Sequence, residues 1–327
     1  MTTIHDDRPH PIPPFAQLRW KENYFFILMD QRNSVFGVAH LNNEPLFNRS
    51  RFTLNLSAQG RPFRYANEVA LPERFSGAAE LSDGRLTLRF LRPHRHFQLA
   101  FAGEDLQATI EFEARLPTFD FVACKSAAPE LPSFQEVMTL GLNLPYNHQQ
   151  QSLTTSGRID FSAAGSDSAW SLTIEGLGYR DHSWCMRSDN ISRRHVWSGL
   201  NFPGRTFGIK AIETTHRPGL WAKEGYVSDA DGARVLRRID ITHDGDRNGW
   251  PQTTQFAVED MTGRVFTINA DIAGRFADVP LHSEKPGSAG PGYQILETFC
   301  PLTLVETGER GIGLVEIGRH PSVTDPH

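Results

Sequence analysis

The chain has 327 residues, a hydrophobic fraction of 39% and a formal net charge of −5. Its longest apolar run, Tyr24 to Met29, ends at Asp30 and is far shorter than the roughly 18 apolar residues of a membrane-spanning helix, so we expect no integral membrane segment. The slightly acidic balance argues against nucleic acid as the main partner, and three widely spaced cysteines predict neither a disulfide framework nor a zinc site.

The first residues, Met1 to Pro14, contain charges and prolines but no apolar core of the kind a secretory signal has, which predicts a cytoplasmic protein. Further along, apolar residues alternate with polar ones, the pattern of strands with one buried face. The clearest runs are Leu86-Leu88-Phe90, Phe97-Leu99-Phe101, Ile110-Phe112-Ala114, Trp170-Leu172-Ile174, Phe207-Ile209-Ala211 and Phe266-Ile268-Ala270-Ile272.

Short strands separated by turn-forming residues, with little helical periodicity, predict an all-β protein built from sandwiches or up-and-down barrels. The alternation is broken between Ala123 and Pro145, where three prolines occur. We therefore predict an N-terminal domain at residues 1–125, a connecting segment at 126–145 and a C-terminal domain at 146–327 that carries the motif Tyr179-Arg-Asp-His-Ser-Trp184.

This motif is the densest cluster of reactive side chains, and it follows a predicted strand through Gly176 and Gly178, which would end or bulge that strand. In an extended chain Tyr179, Asp181 and Ser183 face one way, and Arg180, His182 and Trp184 face the other. His182 is suited to proton transfer because its ordinary pKa is near neutrality, and Asp181 is suited to it if burial raises its pKa.

A structural interpretation stands beside the catalytic one. Arg180 or Arg187 could neutralise Asp181 or Asp189 in an ion-pair network, with Trp184 as packing. No HExxH, GxGxxG, GxxxxGK[ST] or GxSxG pattern is present, so we expect no metal, no dinucleotide or other cofactor, and no serine-hydrolase elbow.

The motif, followed by Arg187, Asp189, His195-Val-Trp197 and Asn201-Phe-Pro-Gly204, resembles the bacterial two-domain lipocalin-like proteins related to carotenoid 1,2-hydratase (hydroxyneurosporene synthase). The segment Trp20-Lys-Glu-Asn-Tyr24 with His40 resembles the first barrel of that group. The chain departs from the hydratases after the motif, where Lys210 stands in place of their tyrosine and aspartate. The same fold is used by lipocalin-like Diels-Alderases.

The resemblance implies two consecutive lipocalin-like antiparallel β-barrels packed together, with a hydrophobic ligand and no cofactor. In the hydratases, acid–base residues of this region protonate an alkene so that water captures the cation. The matching positions, together with Trp221 as a further aromatic candidate of the second domain, predict a catalytic set and a substrate-binding set. The catalytic set is Asp181, His182, Trp184 and Tyr179, and the substrate-binding set is Arg180, Arg187, His195, Trp197, Trp221, Tyr24 and His40.

Three functions follow as hypotheses. The first is a cofactor-independent hydratase or dehydratase that acts on a hydrophobic terpenoid, steroid or polyketide-like substrate. The second is a non-catalytic carrier of such a ligand, and the third is a cyclase or isomerase that acts by shape. Fold alone does not choose among them, and the sequence leaves the oligomeric state open.

Overall fold

The computed structural model describes residues 7–14, 20–127, 146–162, 168–186, 192–215, 217–246, 249–279 and 292–320. Nearly every element in these ranges is a β-strand, which confirms the predicted all-β class. Contacts divide the chain into two units: unit 1 comprises residues 1–118 and 148–186, and unit 2 comprises residues 119–147 and 187–327.

The first part of the chain forms β1 (Trp20–Asp30), β2 (Val35–Glu44), β3 (Arg49–Ala58), β4 (Arg61–Ala70), β5 (Glu80–Ser82), β6 (Leu86–Arg92), β7 (His96–Ala102), β8 (Leu106–Ala114), β9 (Phe119–Asp120), β10 (Tyr146–Phe161) and β11 (Trp170–Met186). The second part forms β12 (Ser192–Phe202), β13 (Arg205–Thr214), β14 (Trp221–Asp229), β15 (Gly232–Asp244), β16 (Thr253–Asp260), β17 (Val265–Asp271), β18 (Ala277–Asp278), β19 (Gln294–Leu304) and β20 (Glu309–Arg319). The described helices are a 3₁₀ turn at Pro45–Phe47 and α1 (Val122–Ala127), and none of them is long and apolar enough to cross a membrane.

The sheet of unit 1 is curled, with the strand order β4-β3-β2-β1-β11-β10-β8-β7-β6-β5. Its inner face carries an apolar core to which β1, β2, β3, β6, β7, β8, β10 and β11 contribute. The strands β6, β7 and β8 alternate buried and partly exposed residues as the sequence predicts, because one face packs on this core and the other does not.

The sheet of unit 2 closes into an eight-stranded antiparallel barrel. Its order is β17-β16-β15-β14-β13-β12-β20-β19, and β19 pairs with β17 to complete the ring. Alternate residues of each strand fill the interior, among them Val196, Phe207 and Val315. The two sheets agree with the predicted pair of lipocalin-like folds.

The division between the units differs from the predicted boundaries. We predicted that the motif strand lies in the C-terminal domain, but β11 pairs with β1 along Trp20–Met29, and β10 pairs with β8. Both strands therefore belong to the first sheet. This sheet is built from two segments that are separate in the sequence, and local periodicity does not reveal that they pair. Most of the predicted connecting segment, residues 128–145, lies outside the described residues.

The glycines before the motif do not end β11, which runs from Trp170 to Met186 and pairs with β1 in one register from Leu177 to Met186. They allow a close approach of strands instead. A Cβ at Gly176 would lie 2.3 Å from the carbonyl oxygen of Met29, and one at Gly178 would lie 2.7 Å from Cγ2 of Thr155. Glycine at these positions lets β1 and β10 lie against the motif strand.

Candidate active site

The motif strand β11 presents its residues alternately to two faces, as the sequence predicts. Tyr24 lies opposite His182 on β1, and the two rings stack with centroids 4.2 Å apart. Because Tyr24 belongs to the core of unit 1, His182 and Trp184 lie on the inner face. Tyr179 and Asp181 then lie on the outer face, so the structure separates the predicted catalytic residues into two pairs.

The inner-face cluster is centred on Glu22, whose side chain is fully buried. Its Oε1 lies 2.7 Å from Nδ1 of His10, 3.0 Å from Nε2 of His182 and 3.0 Å from the hydroxyl of Tyr24. The backbone N–H of His10 also donates to Oε2 at 3.1 Å. One buried carboxylate thus accepts hydrogen bonds from three side chains.

Aromatic rings enclose these groups. The ring of His10 stacks on Trp184 at 4.0 Å with an interplanar angle of 8°, and the His182 ring lies 4.5 Å from the same indole. Tyr24 covers the other side of His182. These π-faces favour a positive charge between them, so they can stabilise an imidazolium or a cationic intermediate.

The environment of the cluster sets its charge state. Burial alone would raise the pKa of Glu22, but hydrogen bonds from His10 and His182 outweigh it and hold the pKa below its ordinary value of 4.5. Burial lowers the pKa of His182 from its ordinary value of 6.5, against the opposing effect of Glu22. Burial and the charge of Glu22 raise the pKa of Tyr24 well above 10.0. At neutral pH the cluster therefore contains an ionised carboxylate, a neutral His182 and a protonated phenol.

This charge state fixes which imidazole nitrogens are free. An ionised carboxylate only accepts hydrogen bonds, so Nε2 of His182 and Nδ1 of His10 carry the protons that they share with Glu22. The opposite nitrogens, Nδ1 of His182 and Nε2 of His10, are buried and have no hydrogen-bond partner among the described residues. Two imidazoles oriented by one carboxylate each present a free nitrogen, which is the arrangement that a general acid and a general base need.

The sequence predicts no metal site, but His10, Glu22 and His182 offer ligand atoms that all lie within 4.8 Å of one another. Two imidazoles and a carboxylate form a ligand set that zinc or iron accepts. In this arrangement the same atoms share protons over 2.7 and 3.0 Å, and a cation would have to displace those protons.

A polar row leads from the cluster towards a cavity in unit 1. Glu22, Asn43 and Ser50 lie opposite one another on β1, β2 and β3. The hydroxyl of Ser50 donates to Oδ1 of Asn43 at 2.7 Å, and Nδ2 of Asn43 is buried with no partner among the described residues. Ser50 and Phe52 line a cavity of about 210 Å³. Ser50 therefore connects this cavity, through its hydrogen bond to Asn43, with the strand position opposite Glu22.

Asp181 belongs to a separate network on the outer face. Its Oδ2 is hydrogen-bonded to Nε2 of His148 and accepts a hydrogen bond from Nε2 of Gln150 at 2.7 Å. The hydroxyl of Tyr179 donates to Oε1 of Gln150 at 2.7 Å. This network joins the two predicted outer-face residues to β10.

Arg180 forms an ion pair, but with a different acidic residue from the one predicted. Arg180 is buried, and its Nη1 lies 2.7 Å from Oδ1 of Asp7. Its Nε donates to Oε1 of Gln151 at 2.8 Å, and the guanidinium lies 4.8 Å from the centroid of the Phe97 ring. Arg180 therefore stabilises the core of unit 1 through Asp7 and does not neutralise Asp181.

The remaining predicted substrate-binding residues do not form one site, although His195 and Trp221 line the same cavity of unit 2. Nε2 of His40 lies 3.2 Å from Oδ1 of Asn23 on the outer face of β1 and β2 in unit 1. In unit 2, His195 contacts Glu316 at 2.6 Å and Trp197 lies on the same outer face of β12. Trp221 is at the end of the unit 2 barrel, and Arg187 lies outside the described residues.

Two members of the inner-face cluster were missed by the sequence analysis. Glu22 stands two residues before Tyr24 and so shares its face on β1, a signal that was available once β1 was recognised as a strand. His10 precedes the first strand, and nothing in its local sequence indicates a contact with β1 or β11.

Three solved structures share this fold over nearly the whole chain. Kievitone hydratase from Nectria haematococca aligns with a TM-score of 0.63 at 11% identity, over 97% of this chain and 92% of that chain. A putative AttH protein from Nitrosomonas europaea aligns with a TM-score of 0.62 at 12% identity, over 97% and 99%. CghA, solved with Sch210972, aligns with a TM-score of 0.65 at 10% identity, over 98% and 96%.

At these identities the likeness concerns the fold, and it confirms the resemblance to two-domain lipocalin-like proteins that the motif predicts. No curated protein matches the sequence. The family model DUF7064, described as a domain of unknown function, matches residues 3–321, and the chain belongs to this family.

Proposed function

We propose that the protein is an acid–base enzyme that adds water to, or removes water from, a hydrophobic small molecule without a cofactor, and that Glu22, His182 and His10 perform the proton transfers. The observation that carries this proposal is the buried Glu22 carboxylate, which orients two imidazoles whose outer nitrogens have no partner among the described residues. Kievitone hydratase, which shares the fold, shows by its name that this fold can carry hydratase chemistry, and that supports the proposal.

The roles follow from the charge state. Neutral His182 has a lone pair on Nδ1, so it acts as the base that removes a proton from water. Glu22 stabilises the resulting imidazolium through the hydrogen bond to Nε2, in the way a carboxylate orients and charges a catalytic histidine. His10 acts from its imidazolium form, in which Nδ1–H is shared with Glu22 and the proton on Nε2 is delivered to the alkene carbon. After the reaction His10 is neutral and His182 carries the proton taken from water, and proton exchange with solvent restores the starting forms. Trp184 and Tyr24 flank these rings and stabilise positive charge during the reaction.

Dehydration uses the same groups in reverse. The His182 imidazolium returns its proton to the leaving hydroxyl, and neutral His10 removes the proton from the neighbouring carbon. Glu22 stays ionised throughout. The substrate class, a terpenoid, steroid or polyketide-like molecule, remains part of the proposal.

The test is the incorporation of labelled water. The purified protein is incubated with a panel of hydrophobic alkenes and tertiary alcohols in water enriched in oxygen-18, and products are analysed by mass spectrometry for gain or loss of one water. We expect the variants Glu22→Gln and His182→Gln to bind the converted compound while turnover falls by about 10²–10⁴-fold. A chelator should leave turnover unchanged.

Two further variants make the test specific. Glu44→Gln is the matched control, because Glu44 is also a buried glutamate of unit 1, paired with Arg49 at 2.7 Å and outside the cluster, so turnover should be retained. Asp181→Asn compares the two faces of β11. A loss of turnover in Asp181→Asn as large as in Glu22→Gln would contradict the assignment of the site. Binding of a ligand that the wild type never converts would favour a carrier.

A further inference from the structure

The barrel of unit 2 has a cavity of its own, of about 400 Å³, at one end. This volume falls within the range of roughly 300–1,000 Å³ found for small-molecule sites. The floor is aliphatic and consists of Val196, Ile241 and Ile317. The cavity is independent of Glu22, which belongs to unit 1.

Strand register shows how the cavity is layered. Arg319, Arg194 and Trp221 lie in one row around the barrel end. Arg194 pairs with Arg319 on β20 and with Glu213 on β13, and Glu213 pairs with Trp221 on β14. Val196 and Lys223 lie in the next row towards the barrel interior. Lys223 therefore extends its chain at the level of the aliphatic floor, with two arginines above it.

The cationic groups differ in how they are neutralised. Arg194 lies over the Trp221 ring and is paired with Glu213 at 2.5 Å. Lys223 has no carboxylate partner among the described residues, and its ammonium donates to the carbonyl oxygen of Ile239 at 2.9 Å.

Arg319 is likewise without a carboxylate partner in the described ranges. Its guanidinium lies 4.8 Å from the centroid of the Trp250 ring, and its Nε is buried without a hydrogen-bond partner there. No aspartate or glutamate is among the described residues that line the cavity. Positive charge beside an apolar floor is costly unless an anion accompanies it.

The wall of the barrel also changes beside Lys223. The hydrogen-bonded pairing of β14 with β15 covers Tyr226–Asp229, and within residues 217–246, all of which the structure describes, it does not extend to Lys223. β15 continues along β16 instead. Here the side chain of Lys223 hydrogen-bonds to Ile239 of β15 in place of a backbone pairing. Lys223 lines the cavity, so a ligand could reach its ammonium.

We propose that the barrel of unit 2 binds an amphipathic carboxylate, whose charged group is held by Lys223 and Arg319 and whose apolar part lies on Val196, Ile241 and Ile317. The planar guanidinium of Arg319 matches a carboxylate, and the ammonium of Lys223 adds a second charge-assisted donor. The indole ring of Trp221 lines the site, and the Trp250 ring lies against the guanidinium of Arg319. This binding does not depend on catalysis at Glu22.

The test uses dodecanoate as the probe, below its critical micelle concentration, with titration calorimetry at low ionic strength. Dodecan-1-ol and dodecyltrimethylammonium are the uncharged and cationic comparisons. We expect dodecanoate to bind at least about tenfold more tightly than the alcohol, since a hydrogen bond to a charged group is worth that much. Lys223→Met and Arg319→Gln should each remove about tenfold of the affinity for dodecanoate and leave that for the alcohol unchanged.

The matched control is Arg310→Gln, an exposed arginine at the opposite end of the same strand β20, which should leave dodecanoate binding unchanged. Lys223→Arg keeps the charge and should retain the preference for the carboxylate, which separates loss of charge from loss of fold. Equal binding of acid and alcohol by the wild type, or tightest binding of the trimethylammonium probe, would overturn the proposal. Loss of dodecanoate binding in Glu22→Gln would overturn it too, because the ligand would then occupy unit 1.

Discussion

Nε2 of His182 lies 3.0 Å from Oε1 of Glu22, although 160 positions separate the two residues in the chain. The contact joins neighbouring strands, β1 and β11, on the inner face of one sheet. It commits one nitrogen of His182 to the carboxylate and leaves the other nitrogen available. The proposed chemistry therefore depends on a pairing between strands that are distant in sequence.

This contact predicts a specific pH dependence of stability. The pKa of His182 is lower in the folded protein than its ordinary value of 6.5, chiefly through burial. The unfolded chain therefore binds a proton at this position at a pH where the folded protein does not, and the free energy of unfolding falls as the pH decreases below about 6.5. His182→Gln should flatten this part of the curve, measured by urea unfolding at several pH values.

Glu22 affects the free energy of unfolding in a lower pH range than His182, so the two contributions can be measured separately. Its pKa is also lower in the folded protein, so its stabilisation is complete above the ordinary value of 4.5 and is lost as the pH falls through the folded value. Glu22→Gln should change how steeply the free energy of unfolding depends on pH below about pH 4.5, with the fold monitored by circular dichroism.

The His182 prediction has its own contrary outcome. An identical pH dependence of the free energy of unfolding for the wild type and His182→Gln between pH 6.5 and 5 would contradict the burial of a neutral His182.

Arg180 should prove to be a stabilising residue rather than a substrate-binding one. Asp7 and Arg180 are both buried and lie 2.7 Å apart, so Asp7→Asn leaves a buried guanidinium without its counter-charge. We expect a loss of about 3–5 kcal/mol in the free energy of unfolding, and a smaller loss in the double variant Asp7→Leu with Arg180→Met. Chemical denaturation of the wild type, Asp7→Leu, Arg180→Met and their double variant forms the cycle that measures the coupling, and Asp7→Asn is measured beside it.

A surface ion pair is the control for this cycle. Asp160 and Arg158 lie 2.7 Å apart, but both are exposed, and Asp160→Asn should change stability very little. A loss in Asp7→Asn no larger than the loss in Asp160→Asn would mean that water reaches Arg180.

The predictable part of this protein is local. Alternation predicts the strands and assigns His182 and Asp181 to opposite faces, because the side-chain period of a strand is fixed by the backbone. The same rule applied to Glu22 and Tyr24 predicts that they share a face, although the sequence analysis named only Tyr24. Strand lengths and turn-forming residues are also local features of the sequence, and they are sufficient to predict the all-β fold class.

The rest depends on pairing across long sequence separations. Period-two patterns do not state which strands are neighbours, so the placement of β11 beside β1 could not be deduced, and the unit boundary predicted near residue 125 differed from the observed division. His10 reaches Glu22 from outside any strand. The partner of Arg180, Asp7, is equally remote, and motif residues alone suggested Asp181 instead.

The glycine before the motif should be intolerant of substitution. A Cβ at Gly176 would lie 2.3 Å from the carbonyl oxygen of Met29, a backbone atom that cannot move aside without disturbing β1. Gly176→Ala should lower the free energy of unfolding by about 1–3 kcal/mol, as overpacking does. Gly204→Ala is the control, because no atom lies within 4 Å of its added Cβ. Equal stability of the two variants would show that β1 and β11 are less closely packed.

The three cysteines provide the last test, because Cys185 adjoins Trp184 in the motif. All three are buried and none of them forms a disulfide. Burial raises the pKa of Cys124 to about 12, with the charge of Glu224 adding to the effect, and burial also raises the pKa of Cys300. Since the thiolate is the reactive form, iodoacetamide should label none of them in the native protein and all of them after unfolding, as read by intact mass. Rapid labelling of native Cys185 would instead indicate an accessible thiolate on β11 and would reopen the question of which side chain of the motif reacts.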